Sequence, residues 1–179
     1  MKHWNALFRA DAGRDKILLV DCSASMNART DGVSALERAK AAILALTAKM
    51  SREDRVTLVR ITGKPEEVFN RLNRDNETIQ GKVEGLPISP SRANYYAAFR
   101  QVFGTRNSLD GMPAVFLFTD GQANSWKEAG EQSLASLLPE GLRLNVINVG
   151  SRMPPPNRAV TGHAPPSQPA IVGLPVLLK

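Results

Sequence analysis

The segment KILLVDCSAS, residues 16–25, decides the fold because it joins a buried strand to a group of polar side chains. Its aliphatic run, residues 17–20, has no polar alternation, which is typical of a strand covered on both faces of a parallel sheet. The polar group contains Asp21, Ser23 and Ser25 in the pattern D-x-S-x-S. Ligands in such sheets bind outside the carboxyl ends of the strands, so this pattern marks a candidate site.

The rest of the chain alternates between strand and helix patterns. Ser34 and Glu37 have the spacing of a capping box, followed by an apolar stripe at helical period. Further strands are predicted at residues 55–62, 66–72, 114–120 and 142–150, and further helices after Asp75 or Asn76 and at residues 93–103 and 125–138. The order predicts a three-layer, Rossmann-like α/β fold with a mostly parallel sheet, an antiparallel edge strand at 66–72, and helices on both faces.

A second polar group follows the most apolar strand, residues 114–120 (AVFLFTD), which ends in Asp120. Asp120 is therefore expected at the same sheet edge as Asp21, Ser23 and Ser25. Two carboxylates and two hydroxyls suit a hard divalent cation, which prefers oxygen ligands. Mg²⁺ or Mn²⁺ fits better than zinc, because neither His nor Cys is gathered nearby.

The composition argues against nucleic-acid binding, membrane spans and a disulfide-rich fold. The 179 residues carry 23 Lys and Arg against 17 Asp and Glu, and this excess is dispersed rather than clustered, so nucleic-acid binding is not expected. No apolar run approaches the roughly 20 residues of a membrane span, and the first residues have no signal-peptide core. The compartment stays undetermined, and the single Cys22 excludes an internal disulfide framework.

Asp21, Ser23 and Ser25 together with Asp120-Gly121 resemble the metal-ion-dependent adhesion site of von Willebrand factor type A domains, over about residues 14–150. The resemblance implies a protein-interaction module. It also implies that the two serines bind the metal directly, that the two aspartates act largely through water, and that an acidic group of a protein partner completes the coordination.

One departure from the family concerns the loop before the third helix, where the family supplies a threonine ligand. The segment ANYYAAF, residues 93–99, matches that pattern with Ala93 at the threonine position, and alanine offers no oxygen. Ser89 and Ser91 are candidate substitutes. A degenerate site, in which Asp21 and the two serines only cap loops through backbone hydrogen bonds, is the alternative. Candidates for the surrounding partner-binding surface are Asn94, Tyr95 and Gln122.

A narrower similarity links segments 35–40, 58–61 and 119–126 to bacterial Bat-type (aerotolerance-related) proteins. In those proteins a type A domain follows an N-terminal hydrophobic region and precedes β-sandwich modules, and residues 157–161 and 172–176 are similar to that junction. The expected organisation is an N-terminal extension (1–13), the type A-like domain (14–150), a proline-rich linker (151–169) and the start of a truncated β-sandwich module (170–179). With this organisation we expect the chain to be a fragment of a longer protein, and we expect any contact with a membrane to come from segments outside these residues.

Enzyme classes match the sequence less well. A haloacid-dehalogenase-type phosphatase needs a second aspartate where Ser23 stands. A serine hydrolase needs a G-x-S-x-G elbow and a histidine, whereas His3 and His163 lie at the extremities. No enzymatic activity is expected. Two alternatives remain open: a metal-free scaffold domain of a larger membrane-anchored protein, and a Mg²⁺-dependent hydrolase using the Asp21/Asp120 pair.

Overall fold

The computed structural model describes residues 14–73, 75–104, 111–122, 126 and 134–151. Within these residues the strands and helices are β1 (Asp15–Asp21), β2 (Arg29–Thr30), β3 (Val33–Ser34), α1 (Ala35–Thr47), β4 (Arg55–Ile61), β5 (Glu66–Asn73), α2 (Asn76–Glu84), α3 (Tyr95–Phe103), β6 (Ala114–Thr119) and β7 (Leu144–Asn148). Short 3-10 turns lie at Ala24–Asn27 and Leu134–Leu137.

β1 lies at the centre of the main sheet, whose order is β5-β4-β1-β6-β7. It pairs in parallel with β4 and β6, and β6 pairs in parallel with β7. β5 is antiparallel to β4 and forms one edge. The prediction of a mostly parallel sheet with an antiparallel edge strand is confirmed.

Helices cover both faces of this sheet, which confirms the three-layer, Rossmann-like arrangement. Alternate residues of β1 point to opposite faces: Leu18 and Val20 pack in the cluster that contains α1 and α2, while Ile17 and Leu19 pack in the cluster that contains α3. All four side chains are fully buried. None of the helices in the described part of the chain is long and apolar enough to span a membrane.

α1 begins where the sequence predicts it. The Ser34 hydroxyl accepts the Glu37 N–H (3.1 Å), and the Glu37 carboxylate accepts the Ser34 N–H (2.6 Å), which completes the capping box. The predicted α2 also has its cap, because the Asp75 carboxylate accepts from the Glu77 and Thr78 N–H groups.

Several boundaries differ from the expectation. The polar loop after β1 contains the 3-10 turn and the β2–β3 hairpin, whose two-residue strands are too short to show periodicity. α3 begins at Tyr95 rather than residue 93, because Asn94 caps it by accepting the Ala97 N–H (2.9 Å). Most of the predicted helix 125–138 lies outside the described residues, and so do the predictions for 1–13 and 152–179.

Candidate metal site at the carboxyl edge of the sheet

The carboxyl ends of β1 and β6 lie side by side because the two strands pair in parallel, with Val20 opposite Phe118. Asp21 is the last residue of β1, and Asp120 directly follows β6. The structure therefore brings the two polar groups of the sequence together at one edge, as parallel pairing predicts.

The Asp21 carboxylate is fully buried and is held by donors of this chain. Its Oδ1 accepts the Ser23 N–H at 2.9 Å. Its Oδ2 accepts the Tyr95 hydroxyl at 2.7 Å, and the Thr119 hydroxyl lies 3.4 Å from the same atom. Asp21 is thus fixed from both sides, and neither of its oxygens lacks a donor.

The hydroxyls of Ser23 and Ser25 face each other, with 3.1 Å between their oxygen atoms. Ser23 occupies the position before the 3-10 turn but makes no capping hydrogen bond with its side chain. In the degenerate alternative, Asp21 and the two serines cap loops; Asp21 does accept the Ser23 N–H, whereas the Ser23 side chain makes no capping hydrogen bond.

Asp120 is half-buried, and its carboxylate bonds to the Ser25 hydroxyl and to the Gln122 N–H (3.2 Å). Burial raises the pKa of Asp120, and the nearby negative charge of Asp21 adds to that effect. Among the described residues no salt bridge joins either carboxylate to Lys, Arg or His. A half-buried carboxylate next to a fully buried one, with no cationic partner among the described residues, favours the binding of a cation.

The oxygen atoms present fit a small hard cation. Adjacent ligands of an octahedral Mg²⁺, each about 2.1 Å from the metal, lie about 3 Å apart, which is close to the 3.1 Å between the two serine oxygens. In the part of the chain that the structure describes, no three His, Cys, Asp or Glu side chains gather as a metal cluster. A cation here would depend on Ser23, Ser25 and the Asp120 carboxylate, a set that suits Mg²⁺ or Mn²⁺.

The threonine position contributes no side-chain oxygen, because it holds alanine. Ala93 is 1% exposed and packs in the apolar cluster with Val59 and Ile61. Of the candidate substitutes, Ser91 lines the cleft that holds Ser23 and Ser25, and its hydroxyl accepts the Gly63 N–H at 2.8 Å. The Ser89 hydroxyl lies 2.8 Å from the Ser91 hydroxyl but does not line this cleft.

The cleft itself is open and has a volume of about 170 Å³. Its lining residues come from the loops after β1, before α3 and after β6, and they are Ser23, Ala24, Ser25, Pro90, Ser91, Arg92 and Gln122. Gln122 is exposed and lines this cleft. The Asn94 side chain, only partly exposed, is engaged in capping α3.

Tyr95 does not lie on the surface where the sequence placed it. It is 1% exposed, its ring packs on Trp126 with 4.7 Å between centroids, and its hydroxyl lies 2.7 Å from both Asp21 and Thr119. Burial raises the pKa of Tyr95, and the charge of Asp21 raises it further, so the phenol stays protonated and donates. Nothing in the local sequence signals this contact, which joins residues 74 positions apart.

Comparison with solved structures gives the same fold. BatB from Bacteroides thetaiotaomicron is 21% identical with a TM-score of 0.55, covering 74% of this chain and 64% of that one. This chain thus spans under two thirds of BatB. An aerotolerance-related membrane protein from Bacteroides fragilis is 21% identical with a TM-score of 0.60, covering 92% and 80%.

A third structure is proximal thread matrix protein 1 from the mussel byssus, with zinc in its metal-ion-dependent adhesion site (MIDAS) motif. It is 17% identical with a TM-score of 0.55, and the match covers 76% of this chain and 38% of that one. No curated protein sequence matches the chain significantly. Residues 17–122, more than half of the chain, match the family described as von Willebrand factor type A domain. With the mostly parallel sheet and the D-x-S-x-S site at its carboxyl edge, this match shows that the chain belongs to the von Willebrand factor type A family.

Proposed function

We propose that this chain is a protein-interaction module that binds an acidic group of a protein partner through a divalent cation held by Ser23, Ser25 and Asp120. The family supports an interaction role and is consistent with a non-enzymatic protein. One observation carries the cation: two hydroxyls 3.1 Å apart lie beside a half-buried carboxylate that has no cationic partner among the described residues.

Each residue has a distinct part in this proposal. Ser23 and Ser25 are the direct ligands, and Asp120 supplies the balancing charge next to Ser25. Asp21 acts from behind, by accepting the Ser23 N–H and so fixing the backbone of the first ligand. The bound cation supplies the positive charge that a partner carboxylate requires. The rest of the coordination would be water and the partner.

The partner is proposed to approach over the open cleft. Gln122 is exposed and lines this cleft, so it offers an amide to an acidic segment. The zinc-occupied MIDAS motif of the byssus protein supports metal binding by this fold. We propose Mg²⁺ or Mn²⁺ here because the donors in the described residues are oxygens.

The second candidate is a metal-free scaffold domain of a larger membrane-anchored protein. Two observations favour it: Ala93 supplies no oxygen, and both oxygens of Asp21 already accept hydrogen bonds from the chain. The similarity to an aerotolerance-related membrane protein supports the anchored context.

Thermal unfolding with millimolar Mg²⁺ or Mn²⁺ against EDTA distinguishes the two candidates. A ligand at 100 times its dissociation constant adds about 2.7 kcal/mol, or several degrees for a domain of this size. We expect a shift that Asp120→Asn abolishes. The matched control Asp31→Asn removes an exposed carboxylate from the β2–β3 turn and should keep the shift. A parent protein that neither metal shifts would instead support the scaffold.

A further inference from the structure

Tyr95 connects α3 to the buried end of β1 through a directed series of hydrogen bonds. The Asp21 carboxylate can only accept, so the Tyr95 hydroxyl donates its one proton to Asp21 Oδ2 at 2.7 Å. The Tyr95 oxygen is then free to accept the Thr119 hydroxyl, also at 2.7 Å. Thr119 in turn accepts the Gly121 N–H at 3.0 Å. The series links α3, β6 and β1 beneath the cleft.

The series determines where Ser23 lies. Tyr95 holds one oxygen of Asp21, and the other oxygen accepts the Ser23 N–H at 2.9 Å. The Thr119 hydroxyl is a second donor near Asp21 Oδ2 but lies farther away, at 3.4 Å, and the full burial of Asp21 keeps bulk water from replacing the phenol. The position of the first proposed cation ligand therefore depends on a hydroxyl that lies two positions after Ala93.

We infer that Tyr95 is a positioning residue of the cation site, through which α3 contributes to the site in place of the ligand missing at Ala93. This inference rests on the proposed function. In this arrangement α3 contributes through Tyr95, which fixes Asp21, and not through a side chain at position 93 that coordinates the cation. Partners that orient metal ligands from behind typically change metal affinity by about 10–100-fold when they are removed.

The Tyr95→Phe variant removes the hydroxyl and keeps the ring. That ring packs on Trp126 and belongs to the cluster between α3 and the sheet, so the substitution leaves no cavity. The matched control is Tyr96→Phe at the next position of α3. Tyr96 is only partly buried, and no hydrogen bond joins its hydroxyl to the cleft among the described residues.

The experiment is calorimetric titration of the EDTA-treated full chain with MgCl₂, at a temperature where circular dichroism shows each variant folded. We expect Tyr95→Phe to raise the Kd for Mg²⁺ at least about tenfold and Tyr96→Phe to leave it within about twofold. A purely structural role would lower the unfolding temperature of Tyr95→Phe without changing the Kd of the folded protein, and that result overturns the inference.

Further outcomes separate the inference from the proposed function. If the parent binds neither Mg²⁺ nor Mn²⁺, the proposed cation site fails and the inference fails with it. If the parent and Tyr95→Phe bind equally well, only the inference fails. Should Tyr95→Phe not fold, Thr119→Val removes the hydroxyl of the same series that donates to the Tyr95 oxygen and lies 3.4 Å from Asp21 Oδ2. A Kd raised several-fold by Thr119→Val supports the inference, and an unchanged Kd overturns it.

Discussion

Replacing Ala93 by threonine should destabilise the metal-free domain and strengthen its binding of Mg²⁺. Ala93 is 1% exposed, directly follows Arg92 of the cleft lining, and packs in the cluster that contains Val59 and Ile61. Threonine adds a methyl group and a hydroxyl to this packed position. Extra atoms in a well-packed core typically cost about 1–3 kcal/mol. At about 2–4 °C per kcal/mol, the unfolding midpoint in EDTA should fall by about 2–12 °C.

Magnesium should recover part of this loss. An oxygen that faces a charged group contributes about 1.5–3 kcal/mol, and 1.4 kcal/mol corresponds to tenfold in affinity. The threonine variant should therefore bind Mg²⁺ at least about tenfold more tightly than the parent. Unfolding followed by circular dichroism in EDTA and in a saturating Mg²⁺ concentration measures both effects, because the shift on adding metal reports the affinity.

The matched control is Ala93→Val, which is nearly isosteric with threonine but carries no oxygen. It should lose about the same stability in EDTA and show only the parent's Mg²⁺ shift. Equal Mg²⁺ shifts in the threonine and valine variants would refute the reasoning, since the side chain at position 93 would then not reach the cation.

One labelling reaction and two substitutions test the burial and packing of other parts of the fold. Cys22 is buried, which raises the pKa of its thiol to about 12, so a thiol reagent at pH 8 should modify it only after denaturation; rapid labelling of the native protein would contradict this. Asp15→Asn should lower the free energy of unfolding by about 2 kcal/mol or more in urea titrations, because two arginines lose a carboxylate that is 3% exposed, whereas Glu53→Gln in an exposed pair should cost under about 0.5 kcal/mol. Gly150→Ala should cost about 1–3 kcal/mol, because its Cβ would lie 2.7 Å from the Asp120 carbonyl oxygen, and an unchanged midpoint would show that this backbone yields freely.

Local sequence patterns predicted the parts of the fold that have local causes. The capping box of Ser34 and Glu37 fixes the start of α1, and the aliphatic run of β1 fixes a strand buried on both faces. The parallel pairing of β1 with β6 brings Asp21 and Asp120 to the same edge of the sheet, as the sequence predicted. The β2–β3 hairpin could not be predicted, because two residues are too few to show a period.

The start of α3 shows why the sequence alone could not predict the rest of the candidate site. The missing ligand at Ala93 is visible in the sequence, since the pattern around it is preserved. The hydrogen bond from Tyr95 is not visible, since its acceptor lies 74 residues away and a tyrosine in the first turn of a helix has no preferred partner. An aromatic residue beside a predicted site therefore suggested a surface contact, and burial of the ring proved that suggestion wrong.

The two carboxylates consequently differ in what they do. Asp21 is fully buried and has donors on both oxygens, so it stabilises the metal-free fold, and removing it leaves buried donors without an acceptor. Asp120 is half-buried and bonds to Ser25, burial raises its pKa, and no salt bridge joins it to a cation among the described residues. A variant of Asp21 mixes loss of folding with loss of binding. Asp120→Asn removes the negative charge next to Ser25 and keeps the hydroxyls of Tyr95 and Thr119 and the carboxylate of Asp21. It is therefore the substitution that separates a cation site from a scaffold.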